Sequence, residues 1–256
     1  MGSRYLDAAQ ALLTRIEQTQ DGPLEEGAGI CAGAIGPGGL VHAFGTGHSR
    51  IPVEELFPRY ASFPGFHPIV ELSMTFHTQV AGANGQRQAM FIERTEGLAA
   101  QILRNFAFGA DDAMIVFSAS GTTAVPIEMA MGARAQGLPV IAVTSVEASR
   151  ASASGHSSGT RLLDHADVVL DLCTPPGDGL VHLDGLDTPV GPGSTIAAAA
   201  LVNELKVRVA QRLHDAGQLP PVLASAAVVG AQRSQDLFDG AYDEHARRSA
   251  AVLRRS

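Results

Sequence analysis

Residues 114–123, Met-Ile-Val-Phe-Ser-Ala-Ser-Gly-Thr-Thr, carry an apolar run straight into a hydroxyl-rich turn. Met114 to Phe117 has the continuous apolar character of a strand buried on both faces, as in a parallel sheet. Val125 to Gln136 reads as a helix beyond the turn, with Pro126 tolerated in its first turn. A strand–turn–helix junction aims backbone N–H groups and the positive end of a helix dipole at one spot. Ser118, Ser120, Thr122 and Thr123 place short side-chain donors around Gly121 at that spot. A single Ser or Thr there would be an ordinary cap. Four in six positions around a glycine point instead to a cup for a phosphate monoester, held without lysine or metal.

The remaining chain fits strands alternating with helices. Leu6, Ala9, Leu12, Leu13 and Ile16 fall at helical spacing within an amphipathic helix over 3–20, which Asp21-Gly22-Pro23 should end. Ile30 to Ile35 is compatible with a short helix or a strand. Leu40 to Phe44 is the first core strand and runs into Gly45-Thr46-Gly47-His48-Ser49-Arg50; Pro52 to Arg59 follows as one or two helical turns. Between Ala61 and Gln88 the pattern is weak, with Ile69 to Leu72 a strand and Gly82 to Gly85 a loop. Glu93 to Phe106 has helical period, Pro139 to Thr144 and Val168 to Leu172 are strands, and Ala148 to Gly159 is a Ser/Ala/Gly-rich mobile loop. Ser194 to Leu213 is a long helix, Val222 to Val228 a late strand, and the C-terminus a charged helix. The expected class is α/β: a three-layer, doubly wound parallel sheet over one domain, with helix 3–20, a core of about 25–215 and an extension over 216–256. Ligands in such sheets sit at the carboxyl ends of the strands.

Composition narrows the function. A net charge of −8 and the lack of a basic stripe, apart from Arg247-Arg248 and Arg254-Arg255, argue against nucleic acid. No stretch is apolar and long enough to cross a membrane, and Met1 to Asp7 has no apolar core, so the expected location is the cytoplasm. Cys31 and Cys173 follow no metal spacing and suit buried thiols in a reducing compartment. The nine histidines show no ligand pattern; His67, His77, His156, His165, His182 and His214 are expected to be structural or superficial, and no metal or cofactor is expected.

The glycine turn at 45–50 lacks the third glycine of a dinucleotide fingerprint, and neither turn has the Gly-Lys-Ser/Thr of a P-loop. Ser118-Ala119-Ser120-Gly121 lacks the first glycine of a hydrolase elbow. As an anion-facing turn, the first junction offers the Gly47 amide, the Ser49 hydroxyl, and His48 and Arg50 as donors to a developing oxyanion. Glu54 and Glu55 follow; alone, either would only complement the start of a helix. Ala197 to Ala200 is a small-residue helix face, and Glu71 and Glu93 are secondary carboxylates that could serve a partner subunit.

The segments FGTGHSR (44–50), FSASGTT (117–123), VIAVTS (140–145), RLLDHADVVLD (161–171) and GPGSTIAAAALVNELKVRVAQRL (191–213) resemble the sugar isomerase (SIS) domain of phosphosugar enzymes and regulators, over most of residues 5–215. The chain looks nearest the stand-alone bacterial type, beside phosphoheptose isomerases and amino-sugar phosphate enzymes. The resemblance implies a flavodoxin-like sheet, a homodimer or homotetramer with sites near the interface, and phosphate held by Ser49, Ser118, Ser120 and Thr123 with Gly121 and Thr122 between. It implies a base at Glu55, with Glu54 beside it. Where phosphoheptose isomerases place a histidine on the late helix, this chain has Asn203, followed by Glu204.

A carboxylate of raised pKa can remove the proton beside the carbonyl of an open-chain aldose or N-acetylhexosamine 6-phosphate. Isomerisation or β-elimination then follows from the same enediolate, and the missing histidine favours elimination, with N-acetylglucosamine 6-phosphate the representative partner. The alternative is a sensor that binds a phosphosugar without turnover; only about 40 residues precede the first strand, with no basic recognition helix.

Overall fold

The computed structural model describes residues 4–75 and 86–253; His77, the expected loop at 82–85 and Arg254 and Arg255 lie outside them. Helix α1 (Arg4–Thr19) turns Ala9, Leu12 and Ile16 inward at three- and four-residue spacing. The expected stop at Asp21-Gly22-Pro23 is instead the start of α2 (Asp21–Ile35). A proline in the first turn gives up only an N–H that has no helical partner, so it opens a helix as readily as it closes one. Ile30 to Ile35 is therefore the end of this helix and not a strand.

Strand β1 (Val41–Gly45) leads through a 3₁₀ turn at Gly47–Ser49 into α3 (Arg50–Leu56). Strand β2 (Phe66–Ile69) lies earlier than the expected 69–72, where a 3₁₀ turn at Leu72–Met74 begins. The expected helix over 93–106 is broken: α4 (Gln86–Ile92) ends before Glu93, and α5 (Leu98–Leu103) starts after Gly97, whose φ of +87° no continuing helix could use. Next come β3 (Ala113–Phe117), α6 (Ala124–Ala135), β4 (Val140–Thr144) and α7 (Val146–Ala151). Residues 148–159, expected to be loop throughout, thus begin inside a helix, because Ser145 Oγ accepts from Ala148 N at 3.1 Å and caps it.

Strand β5 (Val168–Asp171), an antiparallel hairpin of β6 (Gly179–Val181) and β7 (Val190–Pro192), α8 (Ser194–Asp215), α9 (Ala226–Val229) and α10 (Ala231–Val252) complete the order. The strand expected over 222–228 does not form; Ala226–Val229 is a helical turn, and Ala61 and Ser62 meet Leu223 through two isolated backbone bonds.

The five parallel strands run in the order β2-β1-β3-β4-β5, registered with Val41 beside Ala113 and Ile115 beside Ile141. Alternation sorts their side chains into two cores. Val41, Ala43, Ile115, Phe117 and Val143 pack against α2, α3 and α8, with α1 outside them; Phe44, Met114, Val116 and Ala142 pack against α5 and α6. This is the three-layer α/β sheet expected from the sequence. Helix α10 crosses to the amino ends of the strands, where buried Arg248 gives two hydrogen bonds from Nη1, to Ile35 O at 2.8 Å and Gly39 O at 2.9 Å. A cation thereby meets carbonyls at and just beyond the end of α2.

Candidate active site

Strands β1 and β3 are neighbours, but the chain leaves β1 toward β2 and leaves β3 toward β4, so a crevice opens at their carboxyl ends. Both turns there need glycine. A Cβ on Gly45 would lie 2.3 Å from Ser49 O, so this turn closes on itself more tightly than any side chain allows. Gly121 has φ +64°, and a Cβ there would lie 2.7 Å from Thr144 Oγ1. Val53 and Leu56, fully buried, anchor the helix after the first turn at about 1.5–3 kcal/mol each relative to exposure.

The two turns share a cleft of about 860 Å³, including its open mouth. Gly47, His48 and Ser49 form one wall, and Ser118, Ser120 and Thr123 the other. Ser120 Oγ accepts from Thr122 N at 3.4 Å and Thr122 Oγ1 at 3.0 Å, which uses its lone pairs and leaves its proton to donate. Ser118 Oγ accepts from Gly121 N at 3.1 Å. Thr122 and Gly121 therefore shape the turn from behind and are not part of the cleft wall. Thr123 stands at the N-cap of α6 without using its side chain as a cap.

Glu93 also lines the cleft. Burial pushes its carboxyl above the usual range, against a partial downward pull from Thr46 and Arg94. Thr46 Oγ1 donates to its Oε2 at 2.5 Å. Its backbone carbonyl accepts from Val125 N, in the first turn of α6, at 3.0 Å. The turn after Glu93 is held a second time, by Glu128 of α6, whose two carboxylate oxygens accept from Gly97 N at 2.7 and 2.9 Å. The helix behind the hydroxyl turn thus also positions this carboxylate.

Glu54 and Glu55 do not line the cleft. Glu54 is half exposed and pairs with Arg50 at 3.5 Å. Glu55 lies on the seam between α3 and α8: its carboxylate takes Arg59 Nη1 at 2.8 Å, Asn203 Nδ2 at 3.3 Å and faces Lys206 Nζ at 3.7 Å. Burial pushes Glu55 up, but the Asn203 bond, the Lys206 charge and Arg59 outweigh it and hold the carboxyl below its ordinary value. Asn203 also donates to Ala199 O, and Glu204 pairs with Arg208, so the late-helix positions serve packing between helices. Arg50, on the same short helix as the two glutamates, is likewise not among the residues lining the cleft.

The SIS domain family model matches residues 4–145, more than half of the chain. A UPF0309 protein of Streptomyces coelicolor is 36% identical over 227 residues, spanning 89% of each chain. The chain belongs to the SIS domain and UPF0309 families. A UPF0309 protein of Halalkalibacterium halodurans is 29% identical over 244 residues, 95% of each chain. Among solved structures, a phosphoheptose isomerase from Neisseria gonorrhoeae superposes with a TM-score of 0.52 at 15% identity, covering 80% of this chain and 94% of that one. At that identity the likeness is one of fold, the fold of a phosphosugar isomerase.

This SIS domain also brings Asp178, Ser194 and Thr195 to the cleft. Asp178 accepts from Ser194 N at 2.7 Å and Ser194 Oγ at 2.6 Å, capping α8 across the hairpin. The capping is invisible to local pattern because its partners are sixteen residues apart. Glu93 carried a local signal, since a glycine four residues on argues against an unbroken helix. Among the described residues one group could hold a metal ion in this SIS domain: Glu96, Glu128 and His156, with donor atoms within 4.8 Å of one another. His156 Nδ1 accepts from Ser158 N at 3.1 Å, which leaves the ring proton on Nε2, facing Glu128 Oε1 at 3.5 Å. The two carboxylates also accept backbone N–H bonds, Glu128 from Gly97 and Glu96 from Ser157.

Proposed function

We propose that the protein is a phosphosugar enzyme, in which the hydroxyl turn at 118–123 and Ser49 hold the phosphate of an open-chain aldose or N-acetylhexosamine 6-phosphate while Glu93 removes the proton beside its carbonyl. One observation carries the reading: a half-buried carboxylate of raised pKa shares a cleft with two anion-facing turns at a topological switch point. Glu93, not Glu55 or Glu54, is the base in this reading, since a base needs reach and a pKa raised above the ordinary carboxylate range, and Glu55 has neither. The electron pair of the broken C–H bond becomes an enediolate, or an enolate where the second carbon bears an acetamido group, stabilised by His48 at the cleft wall. Where the second carbon bears a hydroxyl, return of the proton to the former carbonyl carbon gives a ketose. Departure of a β-hydroxyl, leaving as water with the proton that Glu93 took up, gives an unsaturated product instead.

The test is incubation of the protein in D₂O with hexose and N-acetylhexosamine 6-phosphates, followed by NMR. Deuterium at the second carbon is expected, lost in Glu93→Gln while binding persists; a vinylic signal marks elimination and a ketose marks isomerisation. Tight binding without any exchange overturns the enzyme reading in favour of a sensor. The proposal retains a homodimer or homotetramer in the cytoplasm. Val207, 65% exposed on the long helix α8, offers an apolar contact for a second copy, and two free buried thiols suit a reducing compartment. Light scattering decides the subunit number.

A further inference from the structure

Where the inner space of the cleft is about 360 Å³, a second, smaller cavity that shares His48, Ser49 and Ser118 with it has about 20 Å³. Pro52, Phe117, Val143, Leu172 and Ala198 wall it. All five are buried, so the apolar side of the hollow faces the protein interior while its other side opens to the cleft. That volume accommodates about one water- or methyl-sized group. The five apolar walls offer a water no hydrogen bond, polar partners standing only where the hollow meets the cleft, at His48, Ser49, Ser118, Ser194 and Thr195. A methyl group, by contrast, gains by leaving solvent against those walls. The hollow communicates with the main cleft, because both share Ser118, Ser194 and Thr195 as lining. The rim is therefore polar and the floor apolar. An acetamido group has that order of polarity, with its amide at the sugar and its methyl at the tip.

We propose that this hollow receives the methyl of a 2-acetamido substituent, so that the substrates are N-acetylated amino-sugar phosphates. The inference rests on the phosphosugar reading above and adds the group that the site selects. Thr195, which lines both the hollow and the cleft, stands at the rim on the path of the amide. The hollow's size sets a limit in both directions: a free amine leaves it unfilled, and a longer acyl chain overfills it.

Calorimetric titration of the unaltered protein with hexosamine 6-phosphates in gluco, manno and galacto configuration tests this, each as free amine, N-acetyl, N-propionyl and N-butyryl derivative, with inorganic phosphate as competitor. In at least one configuration the N-acetyl compound should bind about tenfold or more tighter than both the amine and the N-butyryl compound. Ala198→Val, which narrows the hollow, should erase that advantage while phosphate competition is unchanged. Equal affinity across the acyl series with phosphate still competing overturns the pocket and leaves the phosphosugar reading standing, as does an N-acetyl preference that survives Ala198→Val. No binding by any sugar phosphate and no competition by phosphate overturns both.

Discussion

Glu93 and Glu55 show how one residue type is assigned opposite work by its surroundings. Burial with little compensation raises the first, and a surrounding of Lys206, Arg59 and Asn203 lowers the second. A carboxylate whose folded pKa is raised makes the folded state bind more protons than the unfolded one just above the ordinary carboxylate range, so stability falls as pH rises through that window. Glu93→Gln removes this cost. The melting midpoint of the variant is therefore expected to exceed that of the parent at pH 7 and to converge on it near pH 4, as scanning calorimetry would show. The same substitution should lower kcat/KM by about 10²–10⁴. In the parent, the acid limb of the kcat/KM profile should lie above the pKa of an ordinary glutamate, because the base must first lose its proton. An acid limb at the ordinary position would remove Glu93 from the role.

At the scale of elements, α6 does two jobs. Its first turn backs the hydroxyl loop, and Glu128 and Val125 N tie down the break between α4 and α5 that sets Glu93 in the cleft. Glu128→Ala should free the Gly97 amide, seen as faster hydrogen exchange at Gly97 than in the parent, with exchange in the central strands unaltered. What the sequence made legible follows from the range of each signal. The strands β1, β3, β4 and β5, with the helices α6 and α8, announce themselves through local apolar pattern, and so does the hydroxyl turn. Hidden were features fixed by distant partners. Pro23 opens a helix where it seemed to close one; the apolar run near Val222 finds no place in the sheet; Glu93 reaches the cleft only because Gly97 breaks a segment of helical period. Glu55 followed a sequence likeness whose register does not by itself say which way a side chain points.

Across the whole molecule, the amino ends of the strands carry a polar cluster of their own. Asp112 accepts from Leu40 N at 2.8 Å and Gly109 N at 2.7 Å, and from His42 Nε2 at 3.1 Å. That tautomer leaves His42 Nδ1 to accept from His67 Nδ1 at 3.0 Å. Burial first, then the neighbouring His42 and His245, push His67 down from 6.5 to about 4. The unfolded chain therefore takes up a proton at His67 that the folded chain refuses, and stability should fall as pH drops from 6.5 toward 4. His67→Gln should flatten that limb in urea titrations at stepped pH; an unchanged slope would show that other groups govern it.

The hydroxyl turns and the Arg248 clasp lie at opposite ends of strands four and five residues long, a separation of roughly 13–17 Å. Energetic coupling between substitutions fades over about 7–10 Å. A weakened catalyst can thus be made sturdier by work at the far rim, and a sturdier one retuned at the near rim, with the two sets of changes summing independently. The parallel sheet acts as a spacer between the part of the protein that evolution can gamble with and the part that keeps it whole.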